Sequence, residues 1–193
     1  MKKYKILRIT RIIVYYIVGI FIILGSYLFQ DIIKDNLNLL VGVSLFYDST
    51  AALISSIKRK AYNQEENHIG THGLNIIFSI LIIISKYIFG DNTFYIICTL
   101  WGISAIINGS VRLNITIHEI AHKKFKLIEC IETIESIIEI ALSVFLILDP
   151  IEHLHSHVLL LGLSSLLVAI ILNVHEIKNY LLYSRLVKKN ELS

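Results

Sequence analysis

Apolar residues in this chain fall into six long runs separated by short polar segments, at about 9–29, 37–57, 74–89, 94–113, 131–148 and 158–174. A helix rises 1.5 Å per residue, so runs approaching 20 residues match the roughly 30 Å of hydrocarbon in a bilayer. The pattern therefore predicts an all-α polytopic membrane protein with six transmembrane helices. The first run follows a basic segment, as a secretory signal would. It is nevertheless long and lacks an A-x-A-like site, so it reads as a retained span.

The runs are ordered in pairs. The string L-x-G-x-S begins at Leu40, Leu100 and Leu160, and each copy lies in the second run of a pair. A fixed offset of 60 residues marks a repeat, here three helical hairpins covering about 9–60, 70–120 and 130–180. Seven residues after the repeat glycines Gly42, Gly102 and Gly162 stand Ser49, Gly109 and Ala169. Seven residues is nearly two turns, so each pair of small residues shares a helix face and lets a neighbouring backbone come close. The outer turn also recurs in the first two units, as Tyr27 to Asp31 and Tyr87 to Asp91, with aromatic residues suited to a membrane interface. The third unit has Asp149 and Pro150 there.

Composition agrees with this pattern. Hydrophobic residues make up 55% of the 193 and charged residues 17%, too apolar a balance for an ordinary soluble domain. Nothing marks a second domain, so residues 1–193 read as one membrane domain. The two cysteines, Cys98 and Cys130, fall at opposite ends of the membrane and read as small packing residues rather than a disulfide.

Charge supplies the orientation. Sixteen of the 18 lysines and arginines fall on the side that holds both termini. Only Lys34 and Lys86 fall on the other, beside Asp31, Asp35, Asp91, Asp149 and Glu152. The positive-inside rule then places both termini in the cytoplasm, in a multi-pass protein of the cytoplasmic membrane. The dispersed cations suit anionic lipid headgroups and carry no nucleic-acid motif. Membrane lipids are the expected partners, and a homo-oligomer is left open.

Three hairpins of about 60 residues, with Gly42, Gly102 and Gly162 early in each second helix and Ser49, Gly109 and Ala169 near its middle, resemble the HdeD-like (DUF308) family of small bacterial inner-membrane proteins. Repeats of that family tend to carry a proline in the outer turn, which here occurs only as Pro150. The resemblance implies a non-enzymatic role in acid or envelope stress tolerance. It transfers no catalytic residue.

Polar groups within the spans are the candidate chemistry. Asp48 and Glu139 fall near mid-depth, and Asn108 occupies the position of Asp48 in the second unit. No lysine or arginine falls at that depth, so each carboxyl is expected to face the bundle interior, bonded to a polar partner or to the other carboxyl. Glu129, Glu132, Glu135 and Glu139, at offsets of 3, 3 and 4, share one face of the fifth helix. They suggest either a polar vestibule or, for the first two, solvated residues that complement a helix N-terminus. Asp48, Asn108, Glu135 and Glu139 are the proton-binding or ion-coordinating candidates, with structural bonding between helices as the alternative.

His118, Glu119 and His122 spell H-E-x-x-H, the string in which two histidines one turn apart bind zinc beside a glutamate base. A catalytic zinc needs a third ligand, for which Glu129, Glu132 and His175 are available. Lys123 and Lys124 follow where the usual pattern has an uncharged and then a hydrophobic residue, so no catalytic residue and no resident cofactor is expected, with His118 and His122 kept as the candidate zinc ligands. His68 and His72 form another i, i+4 pair. His153, His155 and His157 alternate on the outer side, where solvated imidazoles take up protons as the outside acidifies. Three functions follow from these features: a non-enzymatic stress-tolerance protein, a small proton- or metal-coupled transporter using Asp48 and Glu139, and a zinc-dependent membrane hydrolase using His118, Glu119 and His122.

Overall fold

The computed structural model describes residues 2–61, 69–122, 127–148 and 154–191. All the apolar runs are helical: α1 (Lys2–Leu28), α2 (Gln30–Ala61), α3 (Ile69–Phe89), α4 (Thr93–His122), α5 (Leu127–Ile147) and α6 (Leu154–Glu191). A single 3-10 turn, Gly90–Asn92, joins α3 to α4, and the described residues contain no strand.

The turns within hairpins are as tight as a helix pair allows. Only Phe29 separates α1 from α2; its N–H donates to the Gly25 carbonyl at 2.8 Å and its own carbonyl accepts from Ile33 at 3.0 Å. Gly25 lies so close to the Ile33 side chain that a Cβ would collide with it. In the second hairpin Gly90 takes φ +52°, a left-handed conformation that favours glycine, and its carbonyl accepts from the Thr93 hydroxyl at 2.6 Å. Tyr27, Phe29, Tyr87 and Phe89 surround these two turns with exposed rings.

The six helices form a closed ring, each touching the next in sequence and α6 returning to α1, while α2 also reaches α4. The most extensive contacts lie between hairpins, at α2 with α3, α4 with α5, and α6 with α1. The glycines explain this preference. Gly42 abuts Ile82 and Ile83 on α3, Gly102 abuts Ser143 and Ile147 on α5, and Gly162 abuts Gly19, Ile22 and Ile23 on α1. A Cβ on Gly102 would stand 2.9 Å from the Ser143 carbonyl, so the two backbones approach to a distance that only glycine permits.

Polarity is inverted relative to a water-soluble bundle. Ile17, Phe21 and Leu24 on α1, Ile77 and Ile80 on α3, and Ile134 and Phe145 on α5 point outward. Many buried positions are serine: Ser44, Ser79, Ser85, Ser136, Ser143 and Ser165 each donate to a carbonyl three or four residues earlier in the same helix. Self-satisfied in this way, they act as small packing residues without an unpaired hydroxyl. At the centre, Tyr15, Ile22, Leu37, Val41, Ile97, Trp101, Leu146 and Leu161 form an apolar core.

Among the described residues, four stretches are long and apolar enough to cross a membrane: Ile9–Leu28, Asp35–Ile54, Ile69–His118 and His155–Val174. The third runs through α3, the turn and α4. Helix α5 is long enough but carries Glu129, Glu132, Glu135 and Glu139, and this acidic row sets it apart from the others.

Candidate functional site

The interior holds two arginine–carboxylate pairs. Helix α1 places Arg11 and Tyr15 one turn apart on the same face, both turned towards α2. Arg11 Nε donates to Asp48 Oδ1 at 2.5 Å, with both side chains about four-fifths buried. Tyr15, 2% exposed, lies beside the same carboxylate. Helices α4 and α5 build the second pair, with Arg112 Nη1 3.3 Å from Glu139 Oε2. Gly109, one turn before Arg112, makes this possible: a Cβ there would stand 3.3 Å from both Glu139 Oε2 and the Ser136 carbonyl. Glu139 also lies within electrostatic range of Asp48, which links the two pairs across the bundle.

The expectation that no cation reaches these carboxyls is therefore corrected. The sequence places both arginines towards the ends of their apolar runs, but a guanidinium on a three-methylene stem reaches well beyond the depth of its own Cα. Neither carboxyl uses the other as its bonding partner.

Asn108, at the position equivalent to Asp48, accepts from Asn75 Nδ2 at 3.1 Å; Asn75 Oδ1 accepts from the Ser104 hydroxyl at 2.9 Å. This set joins α3 to α4 without charge. Between α2 and α3, Asn38 Nδ2 donates to the Ile83 carbonyl at 2.9 Å. Trp101 connects three helices, with its indole N–H donating to Ser164 on α6 at 2.9 Å and its ring meeting Tyr15 on α1 edge-on at 6.3 Å.

All four glutamates of α5 are buried: Glu129 at 3%, Glu132 at 6%, Glu135 at 7% and Glu139 at 2% exposure. The alternative in which the first two remain in water is overturned, because this face of α5 turns into the bundle. Glu135 Oε2 and Glu139 Oε2 are both buried without a hydrogen-bond partner among the described residues, and they differ in that Arg112 stands 3.3 Å from Glu139 as its ion-pair partner. Of the small residues expected at contacts, Ser49 and Ala169 are buried alongside Gly42, Gly102, Gly109 and Gly162.

The histidines separate. His118 is exposed, whereas the Glu119, His122 and His175 side chains lie outside the described residues, as do His68 and His153. Among the described residues no three of His, Cys, Asp and Glu are grouped to hold a metal ion. Near the α1–α2 turn, His155 meets Tyr27 edge-on at 5.5 Å. His157 is not a solvated imidazole: it is 4% exposed, and its Nε2 lies 2.7 Å from the Leu148 carbonyl and 3.1 Å from that of Phe145, positioned to donate to the C-terminal end of α5.

Sequence reasoning missed Arg11, Arg112, Tyr15, Asn75 and the Trp101–Ser164 bond as parts of the interior. The available signals were the i, i+4 spacing of Arg11 and Tyr15 and the position of Arg112 one turn after a close-packing glycine. No family model, curated protein or solved structure matches this chain.

Proposed function

We propose that this chain is a six-span, non-enzymatic protein of the cytoplasmic membrane, built as three repeated hairpins in a ring with both termini in the cytoplasm, and that it is of the HdeD-like type and supports tolerance of acid or envelope stress. The observation that carries the reading is the inverted polarity of the closed ring, apolar on its outer face with two arginine–carboxylate pairs inside. The glycine contacts favour a repeat, since Gly42 with Ile83 and Gly102 with Ser143 stand at the same 60-residue step. In this reading the Arg11–Asp48 and Arg112–Glu139 pairs hold helices together, as buried ion pairs with well-placed partners do. The test is growth of a deletion strain across external pH and under envelope stress. Reduced survival restored by the intact gene is expected, and growth equal to the parent under every condition overturns the reading.

A second reading, a small proton- or metal-coupled transporter, is favoured by the depth and burial of Asp48 and Glu139 and by the acidic row on α5. It is separated from the first by substitutions that remove charge while preserving shape.

A further inference from the structure

We infer that the Glu135 carboxyl is an exchangeable proton-binding site in the bundle, reached along α5 from its Glu129 end. The inference deepens the second reading above and rests on it for the direction of entry. Two observations carry the site. Glu135 is 7% exposed, and its Oε2 is buried without a hydrogen-bond partner among the described residues. The hairpins also share a polar pair 33 residues apart, which the third hairpin leaves incomplete. Tyr15 lies beside Asp48 in the first and Asn75 bonds Asn108 in the second, but the third has Glu135 and Val168 at those positions. Valine has no donor to offer.

A buried carboxylate oxygen without a donor is costly, and a proton bound at that oxygen removes the cost. The charges acting on Glu135 are Arg112 on α4 and Glu132 on its own helix, and Arg112 stands 3.3 Å from Glu139. Helix α6, the other neighbour of α5, contains no titratable residue between His157 and Val174. A metal ion requires several ligands at once, whereas a proton needs one oxygen, and no metal-holding trio occurs among the described residues. Glu132 and Glu129 continue along the same face, giving the proton carboxyl stations towards the α4–α5 connection.

The experiment is pH-difference infrared spectroscopy of the full chain in lipid nanodiscs, following the carbonyl band of protonated carboxylic acids. The wild-type protein is expected to show a titrating band that Glu135→Gln removes and Asp48→Asn retains. Val168→Asn restores the missing donor and should displace the midpoint by about one pH unit, the effect of one hydrogen bond to a charged group. A titrating band unchanged in Glu135→Gln, or no titrating band in the wild type, overturns the inference. If Glu135→Gln does not fold, an unchanged midpoint in Val168→Asn overturns it instead. The band reports protonation alone, so a deletion strain without a phenotype would count against the proposed function and leave this site standing.

Discussion

Arg112 on α4 reaches Glu139 on α5 to within 3.3 Å at the level where Gly109 removes any side chain between the two helices. A close-packing glycine and an ion pair are thus parts of one construction: the missing Cβ sets the helix separation, and that separation sets the length of the bridge. This linkage gives the pair a defined energetic signature.

Truncating Arg112 to alanine leaves the Glu139 carboxylate, 2% exposed, without its counter-charge. Removing one partner of a buried pair costs roughly 3–5 kcal/mol, and the partial exposure of Arg112 places the expected loss towards the lower end. Replacing both partners together, as Arg112→Met with Glu139→Leu, should recover most of it. Thermal unfolding in detergent measures both, and a double variant no more stable than Arg112→Ala would refute the account.

Gly102→Leu and Gly109→Leu drive a side chain into α5, whereas Ile103→Leu exchanges one apolar side chain for another of equal volume. Overpacking costs roughly 1–3 kcal/mol, so the two glycine variants should unfold at lower temperature than the third. Equal unfolding temperatures for all three would mean that these glycines do not set the helix contact.

Reporter cysteines at Lys3, Asn92 and Ser193, introduced after Cys98 and Cys130 are replaced by alanine, test the orientation proposed from the charge asymmetry. Only position 92 should react with an impermeant reagent applied to intact cells. Labelling at either terminal position would sink the six-span arrangement with cytoplasmic termini.

Asp48→Asn and Glu139→Gln keep size and hydrogen-bonding capacity but abolish ionisation. If the carboxyls only join helices, both variants fold and sustain stress tolerance. Normal unfolding temperatures combined with loss of pH- or metal-dependent tolerance would make the transporter the better description.

Much of the architecture was legible because hydrophobic run length is a local property. Apart from Phe29 and Leu148 at their ends, the six apolar runs lie within helices, and the turns of the first two hairpins fall where Tyr27 to Asp31 and Tyr87 to Asp91 place them. The interior was less legible, because it depends on side-chain reach and on which helix faces which. Arg11 and Arg112 looked peripheral when judged by Cα depth, yet their guanidinium groups lie beside Asp48 and Glu139. His157 looked solvated within an alternating run, but its ring is turned onto the carbonyls at the end of α5. The four-glutamate face of α5 could be read from its spacing; that it turns inward along its whole length depends on the helices beside it.

The seam between α6 and α1 also bears on how the protein is made. Gly162 packs against Gly19 and Ile23, so α1 has no permanent neighbour on that face until the ribosome has produced α6. At translation rates of about 5–20 residues per second, the intervening chain takes on the order of 10–30 s to synthesise. For that interval the first helix presents an unclaimed close-packing face to lipid or to an insertion factor, and the ring is completed only when the last hairpin arrives.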